Sequence, residues 1–454
     1  MIHKHFPLTA IFLSFSLSAC SLAPQFVRPD TDMDMPQGWN DASGIPMRSG
    51  PADKPYWNDF GSAELDQLID IALAQNLDLQ AALHRIDEAR ALAKVAAAPL
   101  YPQINAGGNA SRTNQYSPQS KTINAAQASG SISWEVDLWG KNRNAAKSAN
   151  YQADASVFDR EALRLLVTSE VTNLYTQILG FNDRIAIAAN NLKNAQEVLR
   201  IIEVRFKEGA VSGLEVSQQR VEVNTLQSSL AALNEQRTNA LNAIAVLLGK
   251  APQNMTGPKT EFASLKMPEV SLTPPAELLT ARPDIQSAEA GLRAANADIG
   301  AARAAFFPSL TLSADMVIAA GFGNPASAAS SLAASLLTPI FSGGRLTGNL
   351  QNVTARQKEL AAQYQKTVLT AFQEVEDALA ALKSNTEQAE VSRRSVSESQ
   401  NAYNIAKARF DAGAIDYLTL LETQRSLYQA EDNSIVIDEA QLAAFVNLRK
   451  ALGA

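Results

Sequence analysis

The sequence predicts a mostly α-helical, internally duplicated chain that also carries four membrane-type β-strands. Three observations support this prediction: one order of segments occurs twice, two very long stretches of helical periodicity contain no proline, and two pairs of segments have the two-residue period of strands. Because the helical and strand periods alternate in the same order in both halves, they indicate one duplicated unit.

The duplication is visible in short segments of the first half that recur 204 to 206 residues later. The pairs are VRFKEGAV (204–211) with ARFDAGAI (408–415), WGK (139–141) with GGR (343–345), and LYPQI (100–104) with FFPSL (306–310). Each half therefore has helical sequence, two β segments, a very long helix, a glycine turn and a further long helix.

The N-terminal sequence predicts a lipoprotein signal. Residues 1–19 read as a signal peptide, because the apolar run at 8–17 is too short to span a bilayer. The LSAC segment that follows resembles a bacterial lipobox, which predicts acylation of Cys20, the only cysteine in the chain. Several acyl chains on Cys20 would give a stable anchor, and Ser21 favours the outer membrane. The alternative is an ordinary secretory signal with a chance cysteine.

The rest of the chain divides into a tether, two repeats and a connector. The predicted organisation is a lipidated tether at 20–61, repeat one at 62–248 with a β-hairpin at 102–138, an equatorial connector at 249–281, and repeat two at 282–454 with a β-hairpin at 308–341. No other run of eighteen apolar residues occurs. Any crossing of a membrane must therefore use the strands.

The two clearest strand segments, 131–138 and 309–318, alternate apolar and polar residues. Segments 103–112 and 329–338 are their predicted hairpin partners, with weaker alternation. Each segment has the length that a tilted strand needs to cross a bilayer. The pattern fits a membrane barrel with lipid outside and water inside, and it fits equally a soluble sheet with one buried face. In the membrane interpretation, the polar side chains predicted to line the barrel lumen are Glu135, Asp137 and Asp315.

The helices after each hairpin are predicted to form coiled coils. An apolar stripe in the first long helix, which covers about 142–207, steps by four and three residues without a break, which produces left-handed supercoiling. The stripe consists of Leu174, Ile178, Phe181, Ile185, Ala188, Leu192, Ala195, Leu199, Ile202 and Phe206. A helix of this size is about 100 Å long at 1.5 Å per residue.

Membrane strands would require oligomerisation. Four strands cannot close a barrel, and each unsatisfied backbone group at an open edge in lipid costs several kcal/mol. Three copies would supply twelve strands around a water-filled bore, and the long amphipathic helices would continue this β-barrel as a helical coiled-coil barrel.

Several motifs together resemble the TolC-type outer-membrane efflux factors, in their OprM-like, NodT-type lipoprotein branch. The matching segments are LSAC with PQFVRP (17–20 and 24–29), 57–76, WEVDLWG (134–140), 278–285 with its RPD, FFP (306–308), PIFSGGR (339–345) and 413–424. The resemblance covers essentially the whole mature chain. It implies a homotrimeric, twelve-stranded outer-membrane barrel on a periplasmic α-barrel. It also implies a tripartite pump with a periplasmic membrane-fusion adaptor and an inner-membrane transporter, usually of the RND type, with an ABC transporter as the alternative.

The resemblance also assigns two sites. Leu418 and Glu422 match the constriction at the periplasmic tip and lie four residues apart on one helix face; their alternative roles are coiled-coil core and surface charge. Gln218 stands at the position of Glu422 in repeat one, so an acidic ring would have three members. The predicted adaptor-docking tips are Gly209-Ala210-Val211 and Gly413-Ala414-Ile415. Glycine caps require no partner, so simple turn chemistry is the alternative for the tips.

The sequence therefore predicts a passive exit duct for drugs or other small molecules. The alternative is a lipid-anchored periplasmic coiled-coil scaffold or adaptor. An enzyme is not expected, because His84 is the only histidine after the signal peptide and no P-loop occurs. No cofactor or metal is expected. With a net charge of -7 and no basic block, nucleic acid is not an expected partner.

Overall fold

The fold was taken from a computed structural model that describes residues 22–29, 38–40, 55–116, 121–321 and 325–453. The predicted signal peptide and Cys20 lie outside the described residues. The helices are α1 (Ala63–Gln75), α2 (Leu77–Ala97), α3 (Lys141–Lys207), α4 (Gly213–Leu247), α5 (Pro275–Ala281), α6 (Pro283–Ala304), α7 (Arg345–Asp411) and α8 (Tyr417–Ala451). The strands are β1 (Gln103–Gln115), β2 (Lys121–Val136), β3 (Ser309–Gly321) and β4 (Ser327–Leu337).

The element order confirms the duplication. Each half contains two helices, a β-hairpin, a 67-residue helix and a 35-residue helix. Within the described residues, no helix is both long enough and apolar enough to span a membrane.

The described residues form two compact units. The first contains 22–29, 87–155 and 289–363, and therefore includes all four strands. The second contains 38–40, 55–86, 156–288 and 364–453, and therefore includes α4, α8 and most of α3 and α7.

The first unit contains one antiparallel sheet with the strand order β1-β2-β3-β4. Its register keeps side chains of one kind on one face, because residues directly opposite each other point the same way. One row across the four strands is Ile104, Ile132, Ala314 and Leu332, and the adjacent row is Asn105, Ser131, Asp315 and Ser331. The sheet therefore has an apolar face and a polar face, and its β1 and β4 edges carry no further strand among the described residues.

All four strands extend beyond the segments that predicted them at one end. β2 begins at Lys121, ten residues before the predicted segment at 131–138. Its first half contains mainly Ala, Asn and Gln, which give no two-residue pattern. Pairing with β1, and from Ala125 onward also with β3, rather than hydrophobic periodicity, keeps this part of the chain extended.

The first unit also holds the N-terminal segment 22–29 against α6. Arg28 donates to Glu289 at 2.7 Å, and the Asn296 side chain donates to the Pro24 carbonyl at 2.8 Å. The Arg293 guanidinium lies over the Phe26 ring at 5.1 Å. Three different interactions therefore fix the described start of the chain along one helix.

The second unit is built around an apolar core that combines α1 with the long helices. Its largest fully buried side chains include Tyr56, Phe60, Tyr175, Ile178 and Phe445. The predicted stripe on α3 is buried or half-buried along its length, which confirms the packing face that it predicted. The exception is its last member, Phe206, which is 48% exposed near the end of the helix.

Arg282 ties the connector to the C-terminal helices in this second unit. It is 7% exposed, and its guanidinium binds the carboxylates of Asp284 and Glu374 at 2.6 and 2.7 Å. It also donates to the Ala451 carbonyl at 2.9 Å. Both carboxylates raise the pKa of the Arg282 guanidinium against the opposing effect of burial, so the buried charge is compensated.

Candidate functional site

The two tip turns, residues 208–212 between α3 and α4 and residues 412–416 between α7 and α8, share one backbone design. Gly209 and Gly413 have φ values of +76° and +71°, in the left-handed region that favours glycine. The amides of Ala210 and Ala414 each bond to the carbonyl five residues earlier at 2.8 Å, as in a Schellman motif. Each turn is therefore held by hydrogen bonds within its own backbone.

Side-chain caps start the helices after both turns. The Ser212 hydroxyl accepts from the Leu214 amide, and Glu215 completes a capping box on Ser212. The Asp416 carboxylate accepts from the amide and hydroxyl of Thr419 at 2.9 and 2.6 Å. The Thr419 hydroxyl and amide hold the pKa of Asp416 below its ordinary value. Among the predicted tip residues, Ala210 and Ala414 are exposed, and Val211 and Ile415 are half-buried.

A small hydrophobic cluster, which we call the tip core, joins the four helices next to the turns. Its buried members are Val198, Ile202, Val216, Ala406, Phe410, Tyr417, Leu420 and Leu421. The Arg205 guanidinium covers the Phe410 ring at 4.5 Å. The tip core holds α8 against α3, α4 and α7.

Leu418 and Glu422 lie on the side of α8 that the tip core does not use. Leu418 is 49% exposed, and Glu422 is exposed as well. In the single chain, Leu418 is therefore not a buried member of the tip core. Leu214, its counterpart in repeat one, is also exposed, and Gln218 is half-buried. The structure brings Leu418 and Glu422 together on one exposed face.

A polar layer lies on the other face of α8, and sequence reasoning missed it. The Tyr417 hydroxyl bonds to the Gln219 side chain, which is fully buried and donates to the Ala195 carbonyl at 2.7 Å. Gln424 bonds to the Tyr428 hydroxyl, which donates to the Asn191 carbonyl at 3.3 Å. Burial raises the pKa of both tyrosines, so both hydroxyls stay neutral well above neutral pH.

Two ion pairs lie beside this polar layer. The arginine of the first, Arg425, is on the same face of α8 as Leu418 and Glu422, because it follows them by seven and three residues. Arg425 on α8 donates to Glu222 on α4 at 2.6 Å, and the Glu222 side chain is 6% exposed. Arg184 on α3 makes a bidentate contact with Asp432 on α8 at 2.7 and 3.0 Å. A groove of about 530 Å³ lies between these helices and is lined by both pairs. The sequence signal for the layer is Gln219, a polar residue at the spacing of the apolar Val216 and Val223.

The predicted lumen residues fall into two settings in the first unit. Asp315 is exposed in the middle of β3, on the polar face. Glu135 lies near the end of β2, where the Lys141 ammonium donates to it at 3.0 Å. Asp137 lies beyond the last residue of β2 and accepts from the Asn142 and Arg143 amides at 3.1 and 2.8 Å. Asp137 therefore caps the start of α3, and the prediction that it belongs to the strand segment 131–138 was wrong.

An aromatic contact closes the junction beside Asp137. The Trp139 ring stacks on the Phe307 ring at 4.8 Å, and its indole N–H donates to the Pro308 carbonyl at 2.8 Å. This contact ties the passage from β2 to α3 to the passage from α6 to β3.

Comparisons with known proteins agree with these features. The family model of the outer membrane efflux proteins matches residues 68–250 and 275–454, one segment in each repeat. The pyoverdine export outer membrane protein OpmQ of Pseudomonas aeruginosa is 39% identical over 463 residues, covering 98% of this chain and 96% of OpmQ. The cation efflux system protein CusC of Escherichia coli is 31% identical, covering 97% of each chain.

Solved structures show the same fold. The crystal structure of a membrane protein from Pseudomonas aeruginosa superposes with a TM-score of 0.86 and 32% identity, covering 96% of this chain and 100% of that one. The similarity thus extends over both repeats, in sequence and in structure. The chain belongs to the outer membrane efflux protein family.

Proposed function

We propose that three copies of this outer-membrane efflux channel form one exit duct, in which their sheets join into a twelve-stranded barrel and their long helices form a coiled-coil barrel. The observation that supports the trimer is the four-stranded sheet. Among the described residues, this sheet has one apolar face and an unpaired strand at each edge. Unpaired backbone groups cost several kcal/mol each in hydrocarbon, so further copies must cover both edges. Family membership favours this channel over a periplasmic scaffold.

A charge placed on either face of β3 tests the barrel. Leu312→Arg adds a cation to the apolar face, and Ser313→Arg adds the same cation to the polar face one residue later. A cation on the lipid face costs about 2–4 kcal/mol near the bilayer midplane. We expect Leu312→Arg to lower the yield of outer-membrane trimer strongly and Ser313→Arg to leave it near normal. Equal yields for the two variants would contradict the lipid-facing assignment.

Leu418 and Glu422 form the proposed periplasmic gate. Both side chains are exposed, and the tip core and polar layer hold the opposite face of α8. In a trimer, three leucines would narrow the axis and three carboxylates would ring it, which favours cations. We expect Leu418→Ala with Glu422→Ala to raise single-channel conductance in planar bilayers. Glu422→Gln alone should reduce the preference for cations without widening the pore, and unchanged conductance and selectivity would remove both residues from the gate.

The tips are the proposed docking surface for a periplasmic membrane-fusion adaptor. Their turns are hydrogen-bonded internally, so the exposed methyl groups of Ala210 and Ala414 are available for contact. We expect Ala210→Arg with Ala414→Arg to abolish copurification with the adaptor while the trimer persists. Gln227→Arg, on the exposed surface of α4, is the matched control. Normal copurification of the tip variant would place the adaptor elsewhere.

The inner-membrane partner is proposed to be an RND transporter, with an ABC transporter as the alternative, and it would supply both energy and selection. OpmQ is named for pyoverdine export and CusC for cation efflux. Both align with this chain over nearly its full length, so similarity to the channel alone does not identify the cargo. We infer that the polar bore, with Asp315, Glu135 and Asp137 along or near it, conducts passively and catalyses no reaction. Export assays with the channel paired to each transporter class identify the cargo.

The proposed lipid anchor is at Cys20. The described residues begin two positions later, where segment 22–29 is fixed along α6 by Arg28 and Asn296. We expect Cys20→Ser to abolish incorporation of labelled palmitate. If the variant incorporates label normally, the lipobox assignment is wrong.

A further inference from the structure

The internal duplication predicts how the strands of neighbouring copies pair. The pairing of β2 with β3 inside one chain should recur as the pairing of β4 with β1 of the next chain. We propose that β4 of one copy pairs with β1 of the next in the register that places Leu336 opposite Gly108. This inference rests on the proposed trimer and specifies the contact that closes it.

The two hairpins have equivalent registers. Gln103 lies opposite Ser133 in the first hairpin, and Ser309 lies opposite Leu337 in the second. Ser309 follows Gln103 by 206 residues, and Leu337 follows Ser133 by 204 residues. These are the offsets at which the sequence segments repeat, so β3 is the equivalent of β1, and β4 is the equivalent of β2.

The register of β2 with β3 then predicts the register of β4 with β1 of the next copy. Within the chain, Val136 lies opposite Leu310 and Ile132 opposite Ala314. Moving Ile132 forward by 204 and Ala314 back by 206 gives Leu336 opposite Gly108 of the next copy. Residues 329–337 of β4 would face residues 115–107 of β1, which are strands already in the single chain.

The register preserves both faces of the sheet. Leu336 has the same parity as Leu332, and Gly108 has the same parity as Ile104, so both lie on the apolar face. The polar row continues as well, since Ser335 would lie opposite Asn109. A shift by one residue would place every apolar side chain of one strand on the polar face, which excludes odd shifts.

Exposure supports the location of the contact. Leu336 is 65% exposed in the single chain, whereas Ile132, its counterpart between β1 and β3, is 42% exposed. Tyr101, the counterpart of Phe307, is exposed too. Its expected partner on the next copy is Gly343, the counterpart of Trp139, where nothing lies within 4 Å of an added Cβ. A tyrosine ring therefore has space over this turn.

Cysteine pairs measure the register in intact outer membranes. Directly opposite Cβ atoms are about 5 Å apart and diagonal ones about 7–8 Å apart. A short bis-methanethiosulfonate reagent should therefore link Leu336→Cys with Gly108→Cys across chains several-fold faster than pairs shifted by two residues. The shifted pairs combine Leu336→Cys with Ala106→Cys or with Ala110→Cys. Ile132→Cys with Ala314→Cys is the control for the same geometry within one chain, and it should give no covalent oligomer.

The outcomes separate the register from the trimer. Faster linking of either shifted pair, in protein that is trimeric by native mass spectrometry, overturns the register and leaves the trimer intact. A wild-type protein that is monomeric in lipid overturns both. If these variants assemble poorly, Ser335→Cys with Asn109→Cys reports the same register, and the absence of a cross-link in that trimer also overturns it.

Discussion

At the scale of single residues, the polar layer is where buried side chains depend most on one another. Gln219 is fully buried, so each of its bonds replaces water that it has lost. It connects Tyr417 of α8 to the backbone of α3 at Ala195. The proposed gate residues lie on the same helix as Tyr417, and the layer therefore fixes the helix that presents them.

Removing one partner of the hydrogen bond between Tyr417 and Gln219 should lower the free energy of unfolding more than removing both partners. We expect Tyr417→Phe to lower the free energy of unfolding by about 1–3 kcal/mol, since the Gln219 amide oxygen would be left buried without a donor. Adding Gln219→Leu should recover part of that loss, because no unsatisfied group remains. The measurement is a double-mutant cycle by urea unfolding, and purely additive losses would contradict the coupling.

The same tyrosines predict a loss of stability in alkali. Burial raises the pKa of Tyr417 and Tyr428 above their ordinary value of about 10. Their contribution to stability is therefore complete below about pH 10 and is lost as pH rises from there toward their folded-state pKa values. We expect thermal unfolding midpoints to fall over this range, and to fall less in Tyr428→Phe. An equal fall in this variant would assign the alkaline loss to other groups.

At the scale of elements, the tip turns show how the chain reverses direction between two long helices within a few residues. A glycine in the left-handed region, a Schellman pair of hydrogen bonds and a side-chain cap on the next helix suffice in both repeats. The caps differ, Ser212 in one repeat and Asp416 in the other, yet both accept from the first turn of the helix that follows. Local chemistry thus determines where α3 and α7 end.

This local chemistry gives a matched pair of glycine variants. Gly413→Ala places a side chain at φ +71°, which costs about 1–2 kcal/mol, although no atom lies within 4 Å of the added Cβ. Gly348→Ala, inside α7 and equally unobstructed, should instead stabilise the chain by up to about 1 kcal/mol. Unfolding midpoints should move in opposite directions. If Gly413→Ala and Gly348→Ala shift the unfolding midpoint in the same direction, the backbone conformation of the glycine does not determine the change in stability.

At the scale of the whole molecule, the duplication gives each chain two hairpins, one in each repeat. Two strands per chain would leave a trimer with six, fewer than the eight of the smallest typical membrane barrels. The second hairpin is therefore required for closure.

Deleting one hairpin tests this requirement. Replacing 309–337 by a short glycine-serine linker should abolish the outer-membrane trimer, because the remaining strands cannot close. The helices have their own cores and should persist, which far-UV circular dichroism of the purified variant would show. Normal channel conductance from this variant would contradict a barrel of four strands per chain.

Much of this architecture was predictable from the sequence because its signals are periodic. The stripe from Leu174 to Ile202 predicted the buried face of α3, and Gly209 and Gly413 predicted the turns. The first half of β2 was not predictable, since its residues have no two-residue pattern and are held extended by pairing with β1 and, from Ala125 onward, with β3. The Asp137 cap was missed because a carboxylate after an alternating strand continues the strand pattern.

The sequence by itself determined the duplication, the helical faces, the turns and the two-faced strands, because each of these depends on residues close together in the chain. Only the tertiary structure decided the cross-strand register, the polar layer around Gln219 and the exposure of Leu418 and Glu422. These features depend on residues up to some 200 positions apart. Which side chains meet there is settled by how helices and strands pack, which no local pattern specifies.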